Sequence, residues 1–385
     1  MPKYLTIVLS LFVTGLFLTV EAALAQEPLR IGFGGALQGN LSAYGRSTLF
    51  GAEYAVNQVN SKGGLLGRQV ELVIQDDACD PALATTAANK LRSSGLSVIL
   101  GHTCSTSTRS ALSVYANAVI LVSAASTETS LTFDGQNPYF FRTTPYDSAQ
   151  SKLQVDLLMR LGVKSVAILH DKTEYGKALV DYTISYLRDL PGKPIQVVLE
   201  QGVTVNQTDY DPVANAIKDS GAEAVIWGGY YPDGSKLAIS LKNMGANALL
   251  IGADGLYDQQ FLSLAGQAAE DTFVTGQTDY STTEEARAAI ADHRSRHKDD
   301  IGAYFFYSIA AAQTLFHAIE ATGSTTDLNT IKKHLTEDTV DTIIGPVRYD
   351  QRGDVIGGIF KVYRVVNGQF EEYPLTIPEP AAAQN

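Results

Sequence analysis

The sequence of 385 residues contains only two cysteines, Cys79 and Cys104, and relatively few basic residues. The 29 lysines and arginines stand against 41 aspartates and glutamates, so the formal net charge is -12. An acidic chain without a basic cluster is poorly suited to nucleic acid or anionic lipid, and we expect neither as a partner. Beyond the N-terminal segment the sequence also lacks a run of about 18 unbroken apolar residues, so we expect a soluble product.

Motifs of catalysis and of cofactor binding are missing as well. There is no Gly-x-Ser-x-Gly, no phosphate-binding loop of the Gly-Lys-Ser/Thr kind and no His-Glu-x-x-His. Gly32-Phe33-Gly34 stands where a dinucleotide-binding turn would lie, but Leu37 replaces the third glycine. His102 and His170 each follow a predicted strand, where a lone histidine more often bonds the backbone than a metal. The sequence therefore predicts a protein that is not an enzyme and needs neither cofactor nor metal.

The N-terminus has the form of a secretory signal. Lys3 is followed by a mostly apolar stretch over residues 5–20 and then by Ala23-Leu24-Ala25, which fits the small-residue rule for cleavage after Ala25. A retained membrane anchor is the alternative interpretation. No cysteine follows the predicted cut, so a lipid anchor is not supported. We expect residues 1–25 to be a signal peptide and the mature protein to enter a Gram-negative periplasm.

Strand-like and helix-like segments alternate from residue 29 to about 275. Short connections with repeated strand–helix alternation predict parallel sheets that carry helices on both faces. A second set of units begins near residue 148, and about 360 mature residues exceed one ordinary domain, so two similar lobes are expected. Long helices are then predicted over 284–297 and 304–322, followed by a late strand over 358–366. A chain that leaves one lobe and later returns to it would explain this change of rhythm.

Both cysteines lie just past a predicted strand and open a helix-like segment, in Asp76-Asp77-Ala78-Cys79-Asp80-Pro81 and Gly101-His102-Thr103-Cys104-Ser105. If the two strands are neighbours in a parallel sheet, both cysteines lie at its carboxyl edge, within reach of a disulfide. Two unrelated buried thiols are the alternative. The carboxyl edge is where open α/β sheets bind ligands, so the pair also indicates the location of a site.

Polar and aromatic residues follow other predicted strand ends and form the candidate site. Ser105 begins a hydroxyl-rich helix start whose N–H groups and hydroxyls can hold a carboxylate without arginine, ordinary N-capping being the alternative. Asp254 can pair with an ammonium group, a helix cap being the alternative. Tyr175 and Tyr230 can close over a small ligand or simply pack at the rim. The full set is Tyr44, Ser105, Ala125, Ser126, Thr127, Tyr175, Tyr230 and Asp254.

Six motifs, which occur in one order along the chain, resemble those of the periplasmic leucine/isoleucine/valine-binding protein family. These proteins are the substrate-binding components of branched-chain amino acid ABC transporters. The resemblance covers about residues 28–370. The motifs are Asn60-Ser61-Lys62-Gly63-Gly64, Asp76-Asp77-Ala78-Cys79-Asp80-Pro81, Gly101-His102-Thr103-Cys104-Ser105, His170-Asp171-Lys172-Thr173-Glu174-Tyr175-Gly176, Gly228-Gly229-Tyr230-Tyr231-Pro232 and Tyr349-Asp350-Gln351-Arg352-Gly353-Asp354.

The resemblance implies a type I periplasmic-binding fold, in which two lobes are joined by three crossovers. Lobe 1 is then expected over 26–145 plus 279–355, and lobe 2 over 146–278 plus 356–385. A disulfide between Cys79 and Cys104 is implied as well. The expected partners are a small amino-acid ligand and an inner-membrane permease with its ATPase subunits, and the protein itself is expected to be a monomer.

The resemblance also implies roles at the candidate site. Ser105, Ala125 and Thr127 of lobe 1 are expected to hold the α-carboxylate and to help with the amine. Tyr44 is expected to line the side-chain subsite. From lobe 2, Tyr175, Tyr230 and Asp254 are expected to contact the ligand, with Asp254 on the α-ammonium.

Two departures from the family pattern leave the ligand open. The branched-chain binders commonly have glutamate where Asp254 stands, and a proline where Ala124 stands. Aspartate is one methylene shorter, which changes where the ligand's amine would sit. Leucine, isoleucine and valine lead the expectation, while other neutral amino acids, γ-aminobutyrate and small amides or carboxylates remain alternatives. A ligand-sensing receptor module of the same fold is the alternative function.

Overall fold

The computed structural model describes residues 26–375. The predicted signal peptide, residues 1–25, lies outside the described residues. Within 26–375 no helix has both the length and the apolar character that crossing a bilayer requires.

The described chain alternates strands with helices for most of its length. Its strands are β1 (Leu29–Gly35), β2 (Val70–Asp76), β3 (Val98–Leu100), β4 (Ile120–Ser123), β5 (Phe140–Arg142), β6 (Ser165–His170), β7 (Gln196–Gly202), β8 (Ala224–Gly228), β9 (Leu249–Gly252), β10 (Phe273–Gln277), β11 (Val340–Thr342), β12 (Gly345–Val347), β13 (Phe360–Val366) and β14 (Gln369–Glu372). Its α-helices are α1 (Ser42–Ser61), α2 (Pro81–Ser93), α3 (Ser105–Tyr115), α4 (Ser130–Phe133), α5 (Asp147–Leu161), α6 (Glu174–Asp189), α7 (Asp211–Ser220), α8 (Tyr231–Asn243), α9 (Gln259–Ala265), α10 (Glu284–Arg296), α11 (Phe305–Thr322) and α12 (Leu328–Glu337).

Local sequence explains where several helices begin. The side chain of Asp80 accepts hydrogen bonds from the N–H groups of Ala82 and Leu83 at 2.8 and 2.9 Å, and Pro81 occupies the first helical position of α2. Aspartate before proline is a favoured helix start, because the cap satisfies free N–H groups and proline has none to satisfy. Thr173 caps α6 in the same way by accepting from the N–H of Gly176 at 3.0 Å.

The first lobe is built on a five-stranded parallel sheet with the order β2-β1-β3-β4-β5. Its strands are buried on both faces, because alternate side chains enter two different cores. Val98 and Leu100 of β3 pack with α1 and α11, whereas Ile99 of the same strand packs with α2 and α3. Helices on both faces of a parallel sheet define a doubly wound lobe.

The second lobe is built on a seven-stranded sheet with the order β14-β13-β10-β9-β8-β6-β7. It is parallel from β7 to β10, but β13 pairs antiparallel with β10, and β14 pairs antiparallel with β13. The doubly wound α/β class is therefore confirmed. The antiparallel edge is a detail that the strand–helix alternation did not predict.

The chain passes between the two sheets three times. It crosses after β5, returns after β10, and crosses again before β13. The segment with α10, α11 and α12 packs on the first lobe, where Phe305, Ile309 and Ile331 share a core with the β1 and β3 side chains. This return explains the irregular C-terminal third of the sequence.

The Cys79–Cys104 disulfide is present, with the two Cα atoms 5.5 Å apart. The strands that lead to the cysteines are not neighbours, however, because β1 lies between β2 and β3. The sequence left open whether those two strands pair, and they do not. The connections meet above the end of β1, which is glycine-rich: a Cβ at Gly34 would lie 2.5 Å from the His102 ring. The bare glycine backbone lets the chain after β3 cross over β1 toward Cys79.

Candidate functional site

The carboxyl ends of the two sheets face each other across a cleft that contains a small cavity, whose volume open to the centre of a water molecule is about 10 Å³. Its walls come from both lobes. The lining residues are Tyr44, Thr103, Cys104, Ser105, Ala125, Thr127, Tyr175, Tyr230, Asp254 and Tyr304. Seven of the eight predicted site residues are among them. The cleft lies where open α/β sheets bind ligands.

The first lobe contributes the start of α3 and the loop after β4. Ser105 is the first residue of α3, so the free N–H groups of the helix start lie at the cavity wall. Its hydroxyl is not a cap and instead accepts from the N–H of Glu128 at 3.2 Å. This bond joins the helix start to the loop that carries Ala125 and Thr127. The disulfide at Cys104 holds the same helix start from the other side.

Ser126 is the predicted residue that does not line the cavity. Its hydroxyl lies beneath the loop, where it donates toward the carbonyl oxygens of His102 and Thr103 at 3.1 and 3.2 Å. It is also 2.5 Å from the hydroxyl of Thr108. Ser126 therefore ties the β4 loop to the β3 loop, while its neighbours Ala125 and Thr127 face the cavity.

The second lobe contributes Asp254, which is 1% exposed and follows β9 in a short 3-10 turn. Three neutral donors contact its carboxylate. Tyr175 donates to Oδ1 at 2.7 Å, while Tyr304 and Gln277 donate to Oδ2 at 2.8 and 3.2 Å. Asp254 does not cap α9, because Asp258 has that role. Burial raises the pKa of Asp254, and its hydrogen bonds oppose that shift.

Four tyrosines surround Asp254. The ring of Tyr175 lies 4.9 Å from that of Tyr230, and the ring of Tyr44 lies 5.6 Å from that of Tyr304. Burial raises the pKa of all four phenols well above the ordinary value, so they stay neutral and act as donors. The tyrosine rings can contact an apolar side chain of a small ligand, and the hydroxyls can donate to the ligand's polar groups.

Contacts between the lobes surround the cavity. The hydroxyl of Tyr44 donates to the carbonyl of Gly255 at 2.7 Å, and that of Tyr231 donates to the carbonyl of Asn40 at 2.6 Å. At the rim, Arg109 of α3 contacts Glu174 at the start of α6. These contacts close the cleft around the cavity.

Two residues that contact Asp254 were missed in the sequence. Tyr304 stands before α11 and follows no strand, so nothing in the local pattern marked it. Gln277 ends β10, a strand that was not predicted, and its amide reaches Asp254 from the strand end. Had β10 been predicted, Gln277 would have been a candidate by the same rule as Asp254, namely that polar residues at strand ends form the site.

The cavity combines a place for an anion with a place for a cation. The α3 start offers N–H groups and a hydroxyl on one side, and Asp254 offers a buried carboxylate on the other. Among the described residues that line the cavity there is no lysine, arginine or histidine. A carboxylate at α3 is favoured by the helix start, and an ammonium at Asp254 is favoured by charge. The arrangement suits a small zwitterion.

Comparisons with known proteins agree with this geometry. The sequence profile of the periplasmic binding protein family matches residues 28–369. The Leu/Ile/Val-binding protein of Escherichia coli K12 is 29% identical over 339 residues, which are 88% of this chain and 90% of that protein. Such relatives are binding proteins rather than enzymes.

Solved structures share the fold. A branched-chain amino acid transporter substrate binding protein from Streptococcus pneumoniae, in complex with isoleucine, superposes with a TM-score of 0.79 at 23% identity, covering 90% of this chain and 98% of that one. A solute binding protein from R. palustris in complex with benzoate gives a TM-score of 0.80 at 16% identity, covering 90% and 95%. The same scaffold thus carries ligands with and without an amine.

Proposed function

The chain belongs to the periplasmic binding protein family, and from this premise we propose that it is the substrate-binding component of an ABC importer for a neutral amino acid. Leucine, isoleucine and valine are the leading ligands. The ligand's carboxylate lies at the start of α3, near Ser105, Ala125 and Thr127, and its ammonium lies at Asp254. Tyr44, Tyr175 and Tyr230 enclose the side chain.

The observation that carries the proposal is that Ser105 and Asp254, from different lobes, line the same cavity. Asp254 is buried with only neutral donors around it, and a buried carboxylate is far more stable beside a cation. A ligand with an ammonium group supplies that cation. The start of α3 supplies N–H groups for the opposite end of the same molecule. A benzoate-like ligand would leave Asp254 without its partner, which favours the amino acid.

Binding is coupled to closure of the cleft. We take the predicted lobe boundaries, 26–145 plus 279–355 and 146–278 plus 356–385, as the two bodies that move. Ser105 and Thr127 belong to one body, and Asp254 with Tyr175 and Tyr230 to the other. A zwitterion contacts both sets only when the lobes meet. Because a ligand shifts an equilibrium by its differential affinity for the two states, it stabilises the closed form.

A thermal-shift screen over amino acids and small carboxylates tests the ligand class. A ligand that binds only the folded protein stabilises it by about 2.7 kcal/mol at a concentration of 100 Kd, so melting shifts upward. We expect shifts with leucine, isoleucine or valine and none with the corresponding 2-oxo acids. Recovery of the ligand unchanged after incubation distinguishes a binder from an enzyme. Shifts with carboxylates alone would contradict the amino-acid assignment.

The Arg109–Glu174 contact should make a small contribution to affinity. Glu174→Gln removes an ion pair that forms across the cleft, and both side chains are about one-third exposed, at 32% and 29%. We therefore expect a loss of less than about 1 kcal/mol in leucine binding, which shrinks further at high salt. Calorimetric titration at low and high salt measures it.

Asp134→Asn is the matched control for that variant. Asp134 lies 3.3 Å from the same guanidinium, but it belongs to the first lobe and does not cross the cleft. Its replacement should leave affinity unchanged. An equal loss in both variants would show that Arg109 acts within its own lobe rather than as a contact between the lobes.

Export and partners complete the proposal. The protein reaches the periplasm after cleavage behind Ala25, works as a monomer, and delivers its ligand to an inner-membrane permease with ATPase subunits. N-terminal sequencing of the periplasmic protein tests the cleavage site. Deletion of the gene should abolish uptake of the labelled amino acid. Normal uptake with loss of a ligand response would favour the sensory alternative.

A further inference from the structure

Asp147, the first residue of α5, is buried without a hydrogen-bond partner on its carboxyl group. It is 0% exposed, and neither Oδ1 nor Oδ2 has a donor in hydrogen-bonding geometry. Asp77 and Asp171, two other buried aspartates, accept bonds from His102 and Thr173. A buried polar group without a partner is costly and calls for an explanation.

The backbone places Asp147 directly behind the cavity wall. Its N–H donates to the carbonyl of Thr127 at 2.8 Å, and Thr127 lines the cavity. The Thr127 hydroxyl is close enough to the Asp147 carboxyl to lower its pKa, although burial and Asp254 raise that pKa more strongly. By the predicted boundaries Asp147 and Asp254 both belong to the second lobe, and their carboxyl groups act on the same small region.

Within residues 26–375, no cation forms an ion pair with Asp147. The guanidinium of Arg142 lies in its vicinity but bonds Asp354 at 2.6 Å and the carbonyls of Ser126 and Glu128. The charged or titratable groups that interact with Asp147 are Glu128, Arg142, Tyr175, Tyr182, Tyr230 and Asp254. Arg142 is the single cation among these groups, and it is already paired with Asp354. The others are acidic groups or neutral phenols.

We propose that Asp147 is a positioning residue of the ammonium subsite, and that it makes the site select ligands with a protonated amine. With ligand bound, its ionised carboxylate accepts a hydrogen bond from the Thr127 hydroxyl, so that the lone pairs of Thr127 Oγ1 face the ligand's ammonium. It also adds a second negative charge beside Asp254. The inference rests on the proposed amino-acid function and adds the prediction that binding releases a proton.

The sign of the proton linkage follows from the charges. Burial and the Asp254 charge favour protonated Asp147 while the subsite holds no cation. An ammonium nearby favours the ionised form, so ligand binding lowers the pKa of Asp147 and its proton passes to the buffer. Affinity then increases with pH until the pH exceeds the pKa of Asp147 in the free protein.

Calorimetric titration of L-leucine into the mature protein tests this inference. Buffers with low and high ionisation enthalpy are compared at about pH 6 and about pH 8. In the wild type we expect a buffer-dependent enthalpy that corresponds to release of up to about one proton. Asp147→Asn should abolish that dependence and weaken binding about tenfold at the higher pH, with a smaller effect at the lower pH.

Two further variants separate positioning from folding. Asp147→Glu keeps the charge and should retain proton release. Asp258→Asn changes another buried carboxyl, whose pKa burial raises to about 6, but Asp258 does not line the cavity and its replacement should leave the linkage intact. If Asp147→Asn does not fold, Asp147→Glu tests the role: proton release over a different pH range from the wild type supports it, and an unchanged pH profile of proton release overturns it.

The outcomes distinguish this inference from the proposed function. Leucine binding with a buffer-independent enthalpy, or with equal affinity in Asp147→Asn at both pH values, overturns the role of Asp147 alone. Absence of any amino-acid binding to the wild type, with binding of 4-methyl-2-oxopentanoate instead, overturns both.

Discussion

Replacing Asp254 by asparagine should weaken leucine binding by about 2 kcal/mol or more, which is about 30-fold in Kd. The substitution keeps the shape of the side chain and removes its charge. The ligand's ammonium would then be buried against a neutral amide. One of the hydroxyls of Tyr175 and Tyr304 would also lose its acceptor, because asparagine has a single side-chain oxygen. Calorimetric titration of the variant and the wild type measures the loss.

A ligand control and a protein control accompany this experiment. A 2-oxo acid lacks the ammonium, so any weak binding it shows should not decrease in Asp254→Asn. Asp258→Asn, four residues along the same segment, removes a buried carboxyl but keeps an oxygen that can cap α9, where Asp258 accepts from the N–H of Gln260 at 2.8 Å. That variant should change stability little and leave affinity unchanged. Unchanged leucine binding in Asp254→Asn would refute the ammonium role.

The sequence predicted those helices that have an apolar stripe and those strands that have an apolar run. It did not predict α5, whose buried face includes Gln150, Ser151 and Gln154. Ser151 donates to the carbonyl of Leu179 at 2.8 Å, and Gln154 donates to that of Gly252 at 3.2 Å. A helix that buries amides and hydroxyls against another element's carbonyls has no hydrophobic periodicity to detect.

The site was predictable where a residue follows its own strand. Ser105, Ala125 and Asp254 all obey that rule, since strand ends in a parallel sheet meet at one edge. Tyr304 reaches Asp254 from the first lobe, and that contact depends on how two distant segments pack. Asp147 does follow a strand, β5, but β5 has only three residues, Phe140–Arg142, and its short run was not recognised. Tyr304 was therefore missed because its contact depends on long-range packing, and Asp147 because the strand before it is short.

A buried ion pair connects two of the three crossovers. Arg142 ends β5, just before the first crossover, and Asp354 stands just before the third. The Nε atom of Arg142 lies 2.6 Å from Oδ1 of Asp354, and both side chains are almost fully buried. The guanidinium also donates to the carbonyls of Ser126 and Glu128 at 3.2 and 2.7 Å. One side chain thus fixes both the hinge and the loop that carries Thr127.

Arg142→Met should lower the free energy of unfolding of the protein by about 3–5 kcal/mol, because it leaves Asp354 buried without its cation. The hydroxyl of Thr132, at 3.0 Å, is then the remaining close donor of Asp354 in the interior. Urea unfolding followed by circular dichroism measures the loss. Arg352→Met is the matched control: Arg352 lies 3.4 Å from the same carboxylate but is 48% exposed, so its loss should cost less than about 1 kcal/mol.

The double variant Arg142→Met with Asp354→Asn separates the two roles of Arg142. Without a buried unpaired charge, it should recover part of the stability that Arg142→Met loses. It cannot restore the bonds to the Ser126 and Glu128 carbonyls, so the loop with Ala125 and Thr127 remains loosely held. Leucine affinity should therefore stay low while stability recovers. Recovery of both together would mean that Arg142 serves the hinge alone, and that the rest of the first lobe positions the ligand loop without it.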